Sequence, residues 1–417
     1  MITDQGGSAW RLSRFRLFWG GQTLSGLGDQ VSAIAVPILA VVLLEASATQ
    51  MGLLGAASRL PIVLFGLAVG VWVDRVRRRR LMIMTDLARA GVLLMIPLAA
   101  AAGLLGLPLL YGVAFIVATL GVVFQISASA FLRTLLPAAR LIDGNARLTQ
   151  SRALTQISGP GLGGALVQAV TAPVAIMIDI ASYLLSALAL TRIRVEEPAV
   201  RPGARRAVWR EVYEGCRVIW RSPILRASAA SAGTYNLFHS AVLAVEVIFL
   251  ARDLGLSAVQ LGIVLGAVGP GALVGATLAV RAGGRWGIGP VMIAGLALAG
   301  LANLALPLAA GPPSVIFVVI VVASFGSGFG QPFYNVNQGA VRQALVGVGL
   351  QGRVTATMSV VAGGAAPLGA LLGGLLADRL GVRPLLIIAA LGTIGAAAWL
   401  LASPVRRLRE LPGVESS

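Results

Sequence analysis

Ionisable side chains inside long apolar runs are the residues of this sequence best placed to do chemistry. Asp29 stands midway along the first such run, in the segment GQTLSGLGDQ, which also contains Gln22. A charged side chain at the centre of a bilayer costs about 2.5–3.5 kcal/mol, so such residues usually carry a function. Asp29 could exchange protons or attract a cationic substrate. A purely structural Asp, bound to backbone or arginine donors, is the alternative.

The other apolar runs add few ionisable or polar residues. Asp179 and Tyr183 are four residues apart and therefore share one helix face. A lone histidine is more often a structural residue than a proton carrier. The candidates for proton coupling are Asp29, Asp179, Glu246 and His239, and those for a substrate cavity are Gln22, Arg59, Tyr183 and Asn236. Arg59 could also form an ion pair with Glu45, although a solvated loop residue is the favoured interpretation of Glu45.

Composition places these residues in a membrane protein. Hydrophobic residues make up 57% of the 417 residues and charged residues 12%, against about 45–50% and about 25% in soluble proteins. A spanning helix needs about 20 apolar residues. Twelve runs, numbered spans 1 to 12, meet this need: 17–44, 50–73, 81–103, 107–131, 147–170, 173–191, 225–250, 257–280, 288–310, 313–335, 354–377 and 384–402.

One long polar segment divides six spans from six. The predicted domains are a six-helix bundle over 1–191, a cytoplasmic linker over 192–223, and a second six-helix bundle with a tail over 224–417. In the linker, apolar residues recur at helical spacing at Val208, Val212, Cys216 and Ile219. This spacing predicts an amphipathic helix at the membrane interface. A solvated linker without a helix is the alternative.

The arginine distribution predicts the orientation. All 33 basic residues are Arg, and only Arg252, Arg379 and Arg383 fall in loops that are external when the N-terminus is inside. This positive-inside bias predicts that both termini lie in the cytoplasm. The use of Arg without Lys and the 52 Gly fit a GC-rich bacterial genome, so the expected location is the bacterial inner membrane. The formal net charge of +17 therefore reports topology and attraction to anionic lipids, and nucleic acid is not an expected partner.

Several function classes are excluded by what the chain lacks. A single Cys and a single His leave no disulfide and no Cys or His cluster for a metal. A phosphate-binding Walker A loop needs Lys, and the chain contains none. We therefore expect no enzyme, no cofactor and no metal, and an ion gradient must drive any uphill transport.

Two halves of the sequence resemble each other at an offset of about 210 residues. SATQMGLLGA at the start of span 2 (47–56) matches SAVQLGIVLGA at the start of span 8 (from 257), and Pro160 falls opposite Pro367. These matches indicate duplication of a six-helix unit. Parallel repeats about an axis along the membrane normal are the plan of the major facilitator fold, in which the halves alternate access to one site.

The loop between spans 2 and 3, GVWVDRVRRRR (70–80), resembles the signature loop of the major facilitator superfamily, although Arg77 replaces the second Gly usual in that pattern. The resemblance implies that Asp74 pairs with an Arg or a helix dipole and holds an inner gate shut. Gly70 would allow close helix approach. The expected gating residues are Gly70, Asp74, Arg75, Arg78, Asp86 and Arg89. For Asp86 and Arg89, substrate contact is the less favoured reading.

Span 5 contains ISGPGLGG (157–164), which is similar to a Gly-Pro motif of antiporter branches of this superfamily. Its expected residues are Gly159, Pro160, Gly163 and Gly164. The resemblance implies export by exchange, and ordinary small-residue packing is the alternative. Longer segments, such as FRLFWGGQTLSGLGDQVSAIAVP (15–37) and EGCRVIWRSPILR (214–226), resemble the branch that contains macrolide efflux proteins and the enterobactin exporter.

These observations predict an all-α membrane protein with twelve transmembrane helices in two six-helix pseudo-repeats. The resemblance implies a proton-coupled antiporter that exports amphipathic small molecules such as drugs, antibiotics or secondary metabolites. A symporter, or a lipid or siderophore-type transporter of the same fold, is the alternative. A receptor or scaffold is disfavoured because the longest polar segment is short. The expected partners are a small-molecule substrate, protons and membrane lipids, and the expected state is a monomer.

Overall fold

A computed structural model describes residues 8–73, 75–195, 197, 208–347 and 350–411, and in these ranges the chain is helical without strands. The first seven helices are α1 Ser13–Ile38, α2 Ala48–Val73, α3 Arg78–Ala101, α4 Leu107–Leu135, α5 Leu141–Val170, α6 Ala172–Arg192 and α7 Val208–Arg221. The other seven are α8 Pro223–Ile248, α9 Ala258–Gly266, α10 Val268–Trp286, α11 Ile288–Leu308, α12 Pro313–Leu345, α13 Gln351–Leu380 and α14 Val382–Leu401.

Every predicted span corresponds to a helix, and span 8 is divided into α9 and α10. Eleven of the described helical segments are long and apolar enough to cross a membrane. Helix α5 is the remaining predicted span, and its first half carries Asp143, Arg147 and Arg152. The prediction that span 10 ends near 335 was wrong, because α12 continues to Leu345. Asn337 lies buried in this extension and donates a 2.8 Å hydrogen bond to the Phe333 carbonyl.

The helix predicted in the linker is present as α7. Ile219 on its predicted apolar face is buried in a cluster with Leu225 and Val354, whereas Cys216 on the same face is exposed. The last turn of α7 therefore packs on its neighbours. Its position at the membrane interface remains a prediction.

The chain forms two compact units. Unit 1 comprises 1–45, 57–205 and 257–262. Its core gathers the rings of Phe15, Phe18 and Phe131 around Met82, and Phe18 and Phe131 meet edge to face at 5.8 Å. Because these residues come from α1, α3 and α4, the core sets the relative position of the helices that carry Asp29 and Arg89.

The segment before α1 is tied to α5 by Asp143. This carboxylate accepts a 2.7 Å hydrogen bond from the Ala9 backbone N–H and forms an ion pair with Arg147 at 3.1 Å. The Ala9 N–H first, and Arg147 second, hold the pKa of Asp143 below its ordinary value. Asp143 precedes predicted span 5, so it anchors the chain outside the membrane-spanning part.

Unit 2 comprises 46–56, 206–256 and 263–417. Its core packs Met292, Leu296 and Leu400 against the ring of Tyr334. The Tyr334 hydroxyl is satisfied inside this core because it donates a 2.9 Å hydrogen bond to the Ser228 carbonyl. Core residues come from α11, α12 and α14, with Ser228 on α8.

The sequence repeat corresponds to matching helix starts. At the start of α2, the Ser47 N–H donates to Gln50 Oε1 at 2.8 Å and the Gln50 N–H donates to Ser47 Oγ at 3.3 Å. At the start of α9, Ser257 and Gln260 exchange the same bonds at 2.9 and 3.3 Å. Both segments are capping boxes, which satisfy N–H groups that a helix start leaves unpaired.

The repeat also extends to two close helix contacts, one in each unit. A Cβ added to Gly164 of α5 would lie 2.8 Å from the Gly262 Cα in unit 1. In unit 2, a Cβ added to Gly374 of α13 would lie 3.0 Å from the Gly52 Cα. Only residues without a side chain allow backbones to approach this closely. These paired contacts support the duplication of a six-helix segment that the sequence indicates.

Turns at matching positions of the two sequence repeats differ in backbone strain. Thr171, between α5 and α6, has φ 83° and ψ 155°, and its counterpart Gly381 has φ 94° and ψ 155°. This region is essentially restricted to Gly. Glu45 likewise has φ 50° where the other half has Gly255 with φ 64°. Unit 1 therefore carries side chains at two strained turns where unit 2 has Gly.

Candidate functional site

A polar cavity of about 240 Å³ lies in unit 1. Among its lining residues are Phe124 of α4 and Thr155 of α5, and α1 supplies Gly26 and Ser25. Its ionisable and amide side chains are Gln22, Asp29, Gln30, Arg89, Gln125, Arg152 and Gln156. The lining residues come from α1, α3, α4 and α5. Helix α6 adds Tyr183, which binds Asp29. Three residues predicted from sequence for different roles, Gln22, Asp29 and Arg89, meet in this cavity.

Asp29 is exposed to the cavity, and Tyr183 lies behind it, buried with 1% exposure. The Tyr183 hydroxyl donates a 2.5 Å hydrogen bond to Asp29 Oδ1. Bonds of this kind to an ionised acceptor are short and about twice as strong as neutral ones. Asp29 therefore has one oxygen held by α6 while its side chain stays accessible from the cavity.

Asp179 lies one helical turn before Tyr183 and is 1% exposed. Ser32 donates to its Oδ2, and Ser182 lies 3.2 Å from its Oδ1. A Cβ added to Gly28 would stand 2.5 Å from Asp179 Oδ1. Gly28 thus leaves the space in which α1 and α6 bring the two carboxylates, Asp29 and Asp179, into one cluster.

Arg89 is the buried cation of this cluster, with 4% exposure. It forms an ion pair with Asp86 on the same helix. Its guanidinium carbon lies 4.5 Å from the ring centre of Phe124 and 4.2 Å from that of Tyr183. Aromatic faces attract a guanidinium most strongly where water is excluded. Arg89 is therefore held between two rings, directly beside the Tyr183 that binds Asp29.

Charge in the cluster is unequal. Asp29, Asp86 and Asp179 supply three carboxylates, and Arg89 and Arg152 supply two guanidinium groups. With every group ionised, one negative charge remains, and two of the three carboxylates, Asp86 and Asp179, are buried, where an unpaired charge is costly. One proton, or one positively charged ligand, balances the cluster.

The structure places Arg89, one residue of the predicted gating network, in the cavity. The sequence favoured a network of Asp86 and Arg89 with Asp74 and Arg75 over substrate contact. Arg89 instead lines the cavity beside Asp29, and the Arg75 side chain is exposed. Asp74 lies outside the described residues.

The rest of the signature loop is organised by the segment after α6. Glu197 accepts hydrogen bonds from the backbone N–H groups of Arg78 at 2.7 Å and Arg79 at 2.9 Å. A carboxylate at a helix start satisfies unpaired N–H groups and the helix dipole. Among the described residues, a Cβ added to Gly70 meets nothing within 4 Å. The expectation that Gly70 serves close helix packing was therefore wrong.

The Gly-Pro motif of α5 forms the wall beside the cavity. Gly159, Pro160 and Gly163 are buried. A Cβ added to Gly159 would overlap the Gln30 side chain, and one added to Gly163 would lie 3.2 Å from the α1 backbone. The motif thus lets α5 pack tightly on the part of α1 that carries Asp29.

Three candidates lie in unit 2, on α8. Asn236 donates a 3.0 Å hydrogen bond to the Ala362 carbonyl, and His239 stacks on Tyr235 at 5.1 Å. Glu246 is buried with 8% exposure. They belong to a different unit from the Asp29 cluster.

Arg59 is not among the residues that line the Asp29 cavity. Its predicted ion pair with Glu45 is absent from the described part of the chain. Glu45 instead occupies the strained turn after α1. The sequence favoured a solvated loop residue over this pair, and Glu45 is exposed.

Sequence reasoning missed several lining residues, above all Arg152 and Gln156. They are four residues apart in α5 and share one face with Thr155 nearby. That spacing was a usable signal, and Gln125 in the middle of span 4 was another. Ser32 and Ser182 gave no signal, since isolated serines are common in membrane helices.

Comparison with known proteins adds three findings. A family model described as a transmembrane secretion effector matches residues 7–416. The multidrug efflux pump Tap of Mycobacterium tuberculosis is 29% identical, with 93% of this chain and 92% of that protein covered. Macrolide efflux protein A of Streptococcus pyogenes is 24% identical, with 96% and 98% covered.

Solved structures share the fold. A bacterial homologue of the iron transporter ferroportin, in an inward-facing state, has a TM-score of 0.73 at 17% identity, with 95% of this chain and 99% of that chain covered. A bacterial homologue of the lysosomal transporter Spinster has a TM-score of 0.70 at 15% identity, with 96% and 98% covered. The predicted fold class is confirmed by these matches.

Proposed function

The chain belongs to the transmembrane secretion effector family of major facilitator transporters, and on this premise we propose that it is a proton-coupled antiporter that exports amphipathic small molecules. Relatives along nearly its whole length are a multidrug efflux pump and a macrolide efflux protein. Export of drugs, antibiotics or secondary metabolites follows from that similarity. The Asp29 cluster, described above, supports proton coupling.

The single observation that carries the proposal is the setting of Asp29. Its carboxylate is accessible from a cavity while one oxygen is held by the buried Tyr183 hydroxyl at 2.5 Å. The cluster holds one more carboxylate than guanidinium groups, so it is neutral after binding one proton. Ionisable residues inside membrane proteins mark substrate and ion pathways and proton relays, and an accessible carboxylate with an excess negative charge fits the last of these roles.

The same cavity suits the polar end of a substrate. At about 240 Å³ it is smaller than the roughly 300–1,000 Å³ of a site that encloses a drug-sized ligand. It is lined by Phe124 together with the amides of Gln22 and Gln125. We infer that it receives a cationic or polar group, while the apolar remainder of the substrate lies outside this cavity.

Coupling follows if proton and substrate exclude each other at Asp29. Each would neutralise the same excess negative charge, so binding of one weakens binding of the other by the same factor. A substrate released outside is then replaced by a proton, and the proton leaves inside when the next substrate binds. The proton gradient drives export through this competition.

Alternating access requires helices that separate and bend. Pro160 lies inside α5 and lacks the N–H for one helical hydrogen bond. The contacts of Gly164 with Gly262 and of Gly374 with Gly52 are made between backbones without side chains. The helices can therefore separate there without the rearrangement of a packed side chain. We propose that α5 bends near Pro160 during the cycle, as the similarity to antiporter motifs implies.

The cellular setting follows from the arginine distribution. We propose a multi-pass protein of the bacterial inner membrane with both termini in the cytoplasm. The two units belong to one chain, and a monomer is sufficient for this mechanism.

The test compares accumulation of a panel of lipophilic cationic dyes and antibiotics in an efflux-deficient bacterium. Cells carry wild type, Asp29→Asn, or Asp253→Asn as a matched control, since Asp253 is exposed and lies outside the cavity. Each is measured with and without a protonophore at equal membrane expression. Wild type and Asp253→Asn should lower accumulation of some compounds, and the protonophore should abolish this effect.

Asp29→Asn should abolish active export of the same compounds. Export by this variant that still responds to the protonophore would move the proton site to another carboxylate. Export by wild type that ignores the protonophore would refute proton coupling itself.

A further inference from the structure

A second cavity lies on unit 2, in the groove between α10, α11 and α12. It measures about 430 Å³ and lies apart from the Asp29 cavity, sharing no lining residue with it. Its walls are apolar along most of their length, with Leu278, Leu298, Phe329 and Phe333. Leu278 and Leu298 are 38% and 39% exposed, so the groove is open along the side of these helices.

One end of the groove is strongly basic. Arg281 and Arg285 of α10 both line it, and their spacing of four residues puts them on one helix face. Trp286 follows directly and is 63% exposed. Neither guanidinium has a hydrogen bond or ion pair within the described part of the chain. The two guanidinium groups together carry ten N–H donors, and among the described residues none of these donors has an acidic partner.

The tail of the chain passes this end of the groove. The Gly289 N–H donates a 2.9 Å hydrogen bond to the Leu408 carbonyl. The backbone of Arg409 passes Gly287, where an added Cβ would lie 3.2 Å from the Arg409 Cα. Helix α10 ends and α11 begins at this point, which the arginine distribution assigns to the cytoplasmic face.

The depth of the groove matches a lipid leaflet. Leu278 lies seven residues before Arg285, and Leu298 lies ten residues into α11. At 1.5 Å per residue, Leu278 lies about 10 Å from Arg285 and about 4.5 Å from Arg281 along α10, and Leu298 lies about 15 Å from the start of α11 toward the membrane centre. Tryptophan is typical of the level of lipid headgroups.

We propose that this groove is a binding site for an anionic phospholipid of the inner leaflet. Its phosphate is bound by Arg281 and Arg285, and one acyl chain lies in the groove between Leu278, Leu298 and Phe333. Basic pockets between membrane helices on the cytoplasmic side are suited to such headgroups. Charge complementarity selects an anionic lipid over a neutral one, and the groove selects a lipid over a soluble phosphate.

The alternative is that both arginines only orient the chain. That role needs positive charge at this face but neither a groove nor the relative position of the two side chains. Two changes separate the explanations. Arg281→Gln/Arg285→Gln removes the charge, and Ala294→Trp fills the apolar groove, since Ala294 is an exposed lining residue.

The experiment titrates the full-length protein, purified in detergent, with dioleoylphosphatidylglycerol and counts bound lipid by native mass spectrometry. Dioleoylphosphatidylcholine is the neutral lipid control. Arg217→Gln/Arg221→Gln is the matched charge control, because this exposed pair on α7 has the same four-residue spacing outside the groove. Glycerol 3-phosphate is added as a soluble competitor.

Wild type should bind one phosphatidylglycerol in clear preference to phosphatidylcholine. Each basic residue near an anionic lipid contributes about fivefold, so Arg281→Gln/Arg285→Gln should weaken binding by about 30-fold. Ala294→Trp should also weaken it, and the α7 variant should bind this lipid like wild type.

Four results would overturn the proposal. They are equal binding of both lipids, unchanged binding by the α10 variant, an equal loss in the α7 variant, and displacement of the lipid by an equal concentration of glycerol 3-phosphate. None of them bears on export through the Asp29 cavity.

Discussion

Gly164 offers a sharp test of the helix contact that the repeat predicts. Its α5 backbone approaches the start of α9, so a Cβ at this position would lie 2.5 Å from the Ala258 carbonyl oxygen and 2.8 Å from the Gly262 Cα. Both atoms belong to the backbone and cannot rotate away. Gly161 lies one turn earlier in the same helix, and a Cβ there meets nothing within 4 Å.

The same single methyl group should therefore have opposite effects at the two positions. Ordinary carbon contacts are about 3.5–4.0 Å, so Gly164→Ala forces α5 and α9 apart by about 1 Å. Overpacking of this kind costs about 1–3 kcal/mol. Gly161→Ala should be neutral or stabilise by up to about 1 kcal/mol, because Gly is unfavourable inside a helix.

The assay is thermal unfolding of both purified variants in one detergent, followed by export in cells at equal expression. Gly164→Ala should lower the apparent melting temperature below wild type, and Gly161→Ala should not. If the contact exists in only one transport state, 1–3 kcal/mol shifts the balance of states roughly five- to 150-fold. Export should then fall in Gly164→Ala and persist in Gly161→Ala.

Equal melting temperatures and equal export for the two variants would refute the reasoning. The added methyl group would then cost no free energy of unfolding at the close approach of α5 to α9. Gly374→Ala provides an independent repetition, since an added Cβ would lie 3.0 Å from the Gly52 Cα in unit 2.

Three further predictions concern single side chains of unit 1. Tyr183→Phe removes the hydroxyl that holds Asp29, a bond to a charged group that is worth about 1.5–3 kcal/mol, so export should drop at least tenfold at unchanged expression. Thr171→Gly relieves strain of about 1–3 kcal/mol and should raise the melting temperature, whereas the reverse change Gly381→Thr should lower it. Asp143→Asn should loosen the N-terminal segment by under about 1 kcal/mol, measured by limited proteolysis. Because the folded-state pKa of Asp143 is lowered, wild type should keep this advantage above about pH 4 and lose it as pH falls further.

Helix positions were predictable because bilayer thickness dictates the length of apolar runs. Predicted span 6 (173–191) and α6 (Ala172–Arg192) differ by one residue at each end. The error at span 10 had a physical cause. The run after Phe333 is polar, so hydropathy ended the span, but Asn337 bonds to a carbonyl of its own helix and lets α12 continue.

The sequence was sufficient to predict which carboxylates belong to the site, but it was not sufficient to predict which side chains lie next to each other. Asp29, Asp179 and Tyr183 stood out because ionisable and aromatic polar residues are rare in apolar runs. Their proximity depends on Gly28, whose missing side chain makes room between α1 and α6. Nothing in local sequence distinguishes that Gly from its neighbours.

Arg89 shows a second limit of sequence reasoning. Its three-residue spacing from Asp86 puts both side chains on one helix face, and the two form an ion pair. The pair was assigned to a gate because it lies near the basic loop in sequence. Its true neighbours, the rings of Phe124 and Tyr183, come from distant helices and could be identified only in the folded chain.

The most direct test of the central claim is proton movement driven by substrate in liposomes that contain the purified protein and an internal pH-sensitive dye. A compound that is exported in the cell assay is added on one side of the membrane, and no ion gradient is imposed. If Asp29 exchanges substrate for protons, wild type should move protons opposite to the compound, and Asp29→Asn should not. Uptake of the compound by wild type without any proton movement would contradict the account.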